Sequence, residues 1–268
     1  MRKEGMNMNS ARRLEEIAQI LAARGSVEVQ ELAKRFSVTG KTIRLDLDKL
    51  AKMGMVERVH GGAVLKQPQT DLFQIRTRRK TNLREKQAIA QRALEYIEEG
   101  DIIIIDAGST TLPLSRLLGD KRITLLTNDL LIAGEVLEKE NVTLYVTGGR
   151  LSDHRREGVY TLLGRDAEAL LRKYKVNKLF LAATAVNFKQ GLMVYSEDVA
   201  AAKKAMMQAA EQVICMADYS KFHQQAFLTF ARLEEIDVLI TDSRIPDEDV
   251  RYLESRGIKV DVARTSGP

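Results

Sequence analysis

The sequence has a single cysteine, Cys215, in 268 residues. No internal disulfide framework can staple such a chain, and its composition suits a reducing cytosol. The N-terminal MRKEGMNMNSARR carries charge but no apolar core, so it does not read as a secretory signal. The most apolar short run, IIII at 102–105, is far too short to span a bilayer. No GxxxxGK[ST] pattern is present, which argues against a nucleoside triphosphatase. His154 and His223 show no metal-ligand spacing with Cys215 or with each other, and neither a metal nor a cofactor is expected. What is expected is a soluble, cytoplasmic protein with no membrane partner. At 268 residues, 44% of them hydrophobic, it has room for two domains with a sizeable core.

Positive charge is confined to the first third. Residues 1–66 hold 13 Lys and Arg against 8 Asp and Glu, a net +5; residues 67–85 add +3; the remaining 183 residues come to −3. That is where a phosphate backbone would be bound. A solvated basic surface is the bland alternative, and the local pattern decides between them.

Within that third, TGKTIRLDLDKLAKMGMVERVHGGA (39–63) is the organising stretch. Thr39 can cap a helix whose apolar stripe is Ile43, Leu47 and Leu50, and Gly54 sits where the helix would end in a left-handed turn. Two β-type runs, Met55–Val59 and Ala63–Leu65, then flank a His-Gly-Gly turn. Upstream, Ser10 can open a helix with Leu14, Ile17, Ala18 and Leu21 on one face, closed by Arg24-Gly25. Ser26 is expected to open a second helix with Val29, Leu32, Ala33 and Phe36 on one side, and Ser37-Val38 is the turn into the third. Three short helices and a hairpin are the plan of a winged helix-turn-helix. Lys41, Arg44 and Leu45 lie on the face away from the stripe, where DNA would be met.

The expected domains are 1–66, the winged helix-turn-helix; 67–82, a linker of little periodicity ending in Arg78-Arg79-Lys80; and 83–268, an α/β effector-sensing and oligomerisation domain. A helix begins at Leu83. Beyond Gly100, β-type runs at 102–105, 123–127, 143–147, 178–182, 212–216 and 238–241 are mostly separated by helical segments. Continuous apolar runs spaced by helices argue for an open, largely parallel sheet covered on both faces. Ligands bind outside the carboxyl ends of such strands. The residues just past those ends are Asp106, Gly108, Ser109, Thr110 and Thr111; Thr127 and Asn128; Thr147, Gly148 and Gly149; Asp218, Ser220 and Lys221; and Asp242. The stretch DAGSTT is the strongest: Gly108 permits a close turn, and the hydroxyls and first N–H groups of a helix make an anion site. A capping-rich strand-to-helix turn is the alternative.

The motifs T-I-R-x-D-L (Thr42 to Leu47), R-V-H-G-G-A (Arg58 to Ala63), D-A-G-S-T-T, T-N at 127–128, G-G-R at 148–150, K-L-F-L at 178–181 and A-D-Y-S-K-F at 217–222, in this order, resemble the DeoR family of bacterial transcription regulators over nearly the whole chain. The resemblance implies a repressor whose C-terminal domain is similar in fold to sugar-phosphate isomerases and binds a phosphorylated sugar or polyol. It is nearest in form to members controlling hexitol or amino-sugar uptake operons. Leu45 stands where the family often has a second basic residue, Thr39 where Ser is frequent, and Ala182 where Gly is usual. Asn177 and Asn187, expected beside the pocket, replace acidic residues.

Arg44 is expected to contact a guanine edge, with an ion pair to Asp48 or a contact near Asp46 as the alternative. Thr39 and Lys41 would contact phosphates, Thr42 would also meet the DNA, Leu45 could meet a thymine methyl, and His60, Gly61 and Gly62 would form the wing tip. In the sensor domain Ser109, Thr110 and Thr111 would hold a phosphate beside Lys221. Asp106 and Asp218 would face hydroxyls or orient loops, and Glu197 and Lys203 match positions where the family carries Glu and Lys. The expected function is a sequence-specific repressor of a carbohydrate operon, acting as a homodimer or homotetramer and not as an enzyme. The alternatives are a sugar-phosphate isomerase-like enzyme with a regulatory N-terminus, and an architectural DNA binder. Against the enzyme, no carboxylate lies between Ala182 and Gly191, where an acid cluster would be needed.

Overall fold

A computed structural model describes residues 10–52, 56–65, 75–152 and 158–265. The chain forms two compact units, one of residues 1–74 with Tyr195–Glu197 and one of Ile75–Val194 with residues 198–268.

The first unit runs α1 (Ser10–Arg24), β1 (Ser26–Glu28), α2 (Val29–Phe36), α3 (Gly40–Lys52), β2 (Val56–Val59) and β3 (Gly62–Leu65). Leu14, Ile17, Leu21, Val29, Leu32, Phe36, Ile43, Leu47 and Leu50 are all buried, so the three helical stripes share one core. Thr39 caps α3: its hydroxyl accepts the N–H of Thr42 at 3.2 Å. Gly54 and Met55 lie outside the described residues.

Ser26 does not open a helix. Residues 26–28 form a strand paired antiparallel with β3, in the order β1-β3-β2. Alternation of exposed and buried side chains around Val27, followed by a hydrogen bond from Val29 N–H to the Gly61 carbonyl (2.8 Å), suits a third wing strand better than a first helical turn. The close pairing explains Gly62, whose place in β3 leaves His60-Gly61 as the turn: a Cβ there would lie 2.1 Å from the Val27 carbonyl oxygen.

The second unit begins with α4 (Ile75–Lys80) and α5 (Leu83–Leu94). Six residues of the stretch expected as linker are thus helical, with Ile75 buried; the short basic run carries too few apolar positions to show a period. Then follow β4 (Ile102–Ile105), α6 (Leu112–Leu117), β5 (Ile123–Thr127), α7 (Leu130–Val136), β6 (Val142–Val146), β7 (Arg150–Leu151), β8 (Leu162–Leu163), α8 (Arg165–Leu171) and β9 (Val176–Ala182). The chain continues through β10 (Ala185–Asn187), β11 (Gly191–Val194), α9 (Glu197–Ala209), β12 (Ala210–Met216), β13 (Leu228–Ala231), β14 (Val238–Asp242), α10 (Asp247–Ser255) and β15 (Lys259–Ala263).

Seven strands form one parallel sheet, ordered β15-β14-β12-β9-β4-β5-β6. Alternate residues of one strand enter opposite cores: Leu179 and Leu181 one, Phe180 the other; Ile104 one, Ile103 and Ile105 the other. That two-sided burial is why these segments read as unbroken apolar runs. Beside the sheet lie an antiparallel β10-β11-β13 sheet and a β7-β8 ribbon, neither anticipated from sequence.

Strand order reverses at β4. From there the chain adds β5 and β6 to one side and β9, β12, β14 and β15 to the other. The crevice of a doubly wound sheet opens at such a reversal, beyond the ends of β4 and β9.

Candidate functional site

On the first unit, Thr39, Lys41, Arg44, Leu45, His60 and Gly61 are exposed. Leu45 is 55% exposed, uncommon for a leucine on a packed helix. Asp48, the alternative partner for Arg44, instead accepts from Arg58 Nε at 3.0 Å. Arg44 makes no hydrogen bond or ion pair among the described residues, so its guanidinium is available to an outside acceptor. Thr39 Oγ1 lies 3.0 Å from Thr42 Oγ1, so both hydroxyls already serve the helix start.

Two positioning contacts here were not legible in the sequence. Arg58 also donates to the Gly62 carbonyl at 2.5 Å, fastening the wing to α3. Arg13 Nε donates to Asp46 at 2.6 Å, with both side chains buried, tying α1 to α3. Asp46 faces inward, and its ion pair sets the helix whose other face carries Arg44.

At the rim of the large sheet, the DAGSTT turn divides into braced and unbraced groups. The Asp106 carboxylate accepts the Ala182 N–H at 2.9 Å and a short bond from the Lys203 ammonium, which also donates to the Ala182 carbonyl at 2.8 Å. Both charges are buried. Lys203 thus reaches the crevice floor from α9 and pins β4 to β9. Thr111 Oγ1 donates to the Asp106 carbonyl at 2.6 Å. Gly108 is required by contact: a Cβ would fall 2.5 Å from that of Ala182. Ser109 and Thr110 differ from these, being 7% and 4% exposed with hydroxyls that bond to nothing among the described residues.

The neighbouring strand end repeats the division. Thr127 Oγ1 donates to the Ile105 carbonyl at 2.7 Å, while Asn128 Oδ1 just past β5 and Thr147 Oγ1 past β6 are buried with no partner among the described residues. Buried polar atoms without partners are uncommon and point to something outside the chain. Asp129 caps α7, accepting Leu131 N–H at 2.7 Å; burial pushes its carboxyl up, with that bond and the charge of Arg79 opposing. Gly148 and Gly149 follow Thr147 at the end of β6 and lead into β7.

Beyond β12, Asp218 accepts from Ser220 N–H at 3.2 Å, from the Ser220 hydroxyl and from Asn82 Nδ2 at 3.0 Å, all on Oδ1. Its Oδ2 is buried without a partner. Burial works against its charge, but Lys221, the Ser220 hydroxyl, Lys86 and Asn82 outweigh it and hold the carboxyl below its ordinary range. Lys221 is buried in the turn after Asp218. Lys86, unremarked in the sequence, is 1% exposed; burial draws its pKa down, with Asp218 opposing from 3.9 Å. Asp242, at the end of β14, accepts the N–H groups of Tyr219 (2.7 Å) and Arg244 (3.0 Å); burial pushes its carboxyl up.

The structure therefore brings Asp106, Gly108, Ser109, Thr110, Thr111, Thr127, Asn128, Gly148, Gly149, Asp218 and Lys221 to the carboxyl ends of parallel strands, with Lys203 beneath. Glu197 is exposed at the start of α9. Asn177 is not beside the crevice. It lies at the opposite end of β9, accepting Ile102 N–H at 2.9 Å, because its position near the start of the strand puts it at the amino edge of the sheet. Asn187 accepts the N–H groups of Lys189 and Gln190 in the turn after β10. His154 lies outside the described residues. Among the described residues no helix is long and apolar enough to cross a membrane.

Comparison with known proteins agrees on both units. Residues 13–69 match the DeoR-like helix-turn-helix domain, and residues 81–243 the DeoR C terminal sensor domain. The uncharacterized HTH-type transcriptional regulator YulB of Bacillus subtilis (strain 168) is 38% identical over 93% of this chain and 95% of its own. The putative aga operon transcriptional repressor of Escherichia coli O157:H7 is 32% identical over 94% and 93%. The HTH-type transcriptional regulator GlpR of Haloferax volcanii is 35% identical over 94% and 98%. Matched in both units and along nearly its whole length, the chain belongs to the DeoR family of transcriptional regulators.

Proposed function

We propose that the protein represses a carbohydrate-utilisation operon by binding operator DNA through α3 and the wing, and that a phosphorylated sugar or polyol in the β4–β9 crevice controls that binding. The observation that carries the reading is the contrast inside DAGSTT. Thr111 is satisfied internally, whereas Ser109 and Thr110 are largely buried residues whose hydroxyls bond nothing among the described residues, on a rim that also carries the buried cations Lys221 and Lys86. Hydroxyl and N–H donors beside fixed cations suit a phosphate. Asn128 Oδ1, one strand further along, and Thr147 Oγ1, two strands along, suit hydroxyls of the same ligand. Asp106, Thr111, Thr127 and Lys203 then shape the crevice, and the part of Glu197 is a contact at its edge.

In the first unit, Arg44 reads a base edge, Leu45 meets a thymine methyl, Lys41 and the capped start of α3 (Thr39, Thr42) meet phosphates, and His60 with Gly61 and Gly62 presents the wing. Such modules read repeated half-sites, so the protein works as a homodimer or homotetramer in the cytoplasm. Effector and operator each lower the other's affinity by the same factor, effector binding causing release. Catalysis is not part of this function: the rim carboxylates Asp106 and Asp242 are engaged by internal donors, and no carboxylate lies between Ala182 and Gly191.

The test is a thermal-shift screen of the intact protein against sugar and polyol phosphates with their unphosphorylated parents, followed by operator binding with each hit. A shift from one phosphate and not from its parent, with release of operator, is expected, since a ligand bound only by the folded state raises the melting temperature by mass action. Turnover of a pentose or hexose phosphate would instead establish the isomerase-like alternative.

A further inference from the structure

The segment that precedes α5 is wired into the rim at two points. On the β5 side, Arg79 of α4 donates to the Gly158 carbonyl at 2.7 Å, and its charge favours the ionised form of Asp129. On the β12 side, Asn82 donates from Nδ2 to Asp218 Oδ1 at 3.0 Å and to Ser220 Oγ at 3.2 Å. Three strand intervals separate β5 from β12, roughly 14 Å at the usual spacing, and the two strands between them are β4 and β9. The α4–α5 corner therefore crosses the switch point itself.

The corner is held by specific side chains. Asn82 sits in the left-handed region (φ 51°), unusual for any residue but glycine, and this turns its amide toward Asp218. Lys86, one turn into α5, spends two of its three donors on the carbonyls of Arg78 (a short bond) and Thr81 (2.7 Å). Its ammonium faces the unpartnered Asp218 Oδ2 at 3.9 Å, beyond hydrogen-bond range. A buried lysine so placed joins the end of α4 to a carboxylate whose second oxygen still lacks a donor.

We propose that Asn82 and Lys86 are positioning residues that strap α4 across the rim to Asp218, so that whatever fills the rim also sets the placement of the segment leading back to the DNA-binding unit. This rests on the reading of the rim as the effector site. Filling the crevice changes what Asp218 Oδ2 and Lys86 face; Lys86 is fixed to the end of α4 through the carbonyls of Arg78 and Thr81, and Asp218 to the α4–α5 corner through the Asn82 amide. Effector contact and connector placement then become one event, with no separate relay through the sheet. The charge run Arg78-Arg79-Lys80 thereby acquires a role apart from DNA, through the Arg78 carbonyl that Lys86 grips and the Arg79 bond to Gly158.

The experiment is hydrogen exchange read by mass spectrometry on the full chain, for the wild type, Asn82→Gly and Lys86→Met, with and without inorganic phosphate. Glycine accepts the left-handed backbone and removes the amide but also loosens the chain; Lys86→Met leaves that backbone untouched and so separates loss of the strap from loss of stiffness. Without phosphate, both variants should exchange the amides of 75–82 about tenfold faster than wild type, with β4 and β9 unaffected. Wild-type rates in both variants would overturn the strap. With phosphate, wild type should slow at 106–112 and at 75–82 together, and Asn82→Gly only at 106–112; a variant still slowing at 75–82 would overturn the coupling. If 106–112 in wild type ignores phosphate, the site reading fails instead, and the comparison without phosphate still decides the strap.

Discussion

Replacing Lys203 by methionine isolates the pair on which the crevice floor stands. Methionine keeps most of the volume and removes the charge. Left behind would be an Asp106 carboxylate, 2% exposed, holding one N–H bond from Ala182, and an Ala182 carbonyl without its donor. Breaking a buried pair from one side costs about 3–5 kcal/mol, because the remaining charge keeps its desolvation penalty. For a unit of this size that corresponds to a fall in melting temperature of roughly 6–20 °C. The double variant Asp106→Asn/Lys203→Met removes both charges while the new amide oxygen still accepts from Ala182, so it should recover about 2 kcal/mol relative to additivity.

The assay follows from composition. There is no tryptophan, and six of the seven tyrosines lie in the second unit, Tyr195 alone grouping with the first, so tyrosine emission during urea unfolding reports mainly the sensor unit. Unfolding of a two-unit chain need not be two-state, and this restriction keeps the midpoint interpretable. A Lys203→Met cost under about 1 kcal/mol, or additive losses in the double variant, would refute the reasoning, since a pair that matters must couple.

Three further outcomes follow from the same geometry. Arg44→Ala should weaken specific operator binding by about 1–3 kcal/mol while leaving binding to unrelated DNA nearly unchanged, measured by titration at fixed salt. Asp46→Ala, which removes the buried carboxylate that accepts from Arg13 Nε and ties α1 to α3, should unfold the winged unit at lower temperature with little movement of the tyrosine-reported transition, as followed by far-UV circular dichroism beside tyrosine emission. Asp218 is held below its ordinary 3.8, so its native charge contributes stability above about pH 4 that is lost as pH falls through the lower native value; Asp218→Asn should flatten that acid limb in urea titrations across pH 2–6, and an unchanged limb would refute it.

Much of this architecture is legible in the chain because burial imposes periods. The stripes of α1 and α3 and the six apolar runs that became β4, β5, β6, β9, β12 and β14 each carry their own signal, and Gly108 marks a close approach. What escaped is short or non-local. The three residues of β1 and six of α4 are too few to show a period. β15, at the sheet edge, alternates exposed and buried residues and lacks the continuous run of an inner strand. Arg13 meets Asp46 across 33 positions and Lys203 meets Asp106 across 97, so neither pairing has any local trace. Lys86 reads as an ordinary helical lysine until the fold closes over it. Sequence marked the rim's loops; only the fold distinguishes hydroxyls already spent from those still free.

That distinction makes a last prediction quantitative. Shifting operator affinity a hundredfold requires the effector to favour one arrangement by only about 2.7 kcal/mol. A hydrogen bond to a charged phosphate contributes about 1.5–3 kcal/mol, so one differential contact suffices and many uniform ones contribute nothing to switching. Ser109→Ala and Thr111→Ala should then separate. The first removes a free hydroxyl, so it should weaken an effector phosphate about ten- to a hundredfold with the melting temperature of the unliganded protein little changed. The second removes a bond to the Asp106 carbonyl, so it should lower that melting temperature and affect the effector only through the distorted turn. Reversed outcomes, with Ser109→Ala destabilising and Thr111→Ala selectively blind to phosphate, would mean that the anion is held from the other face of the turn.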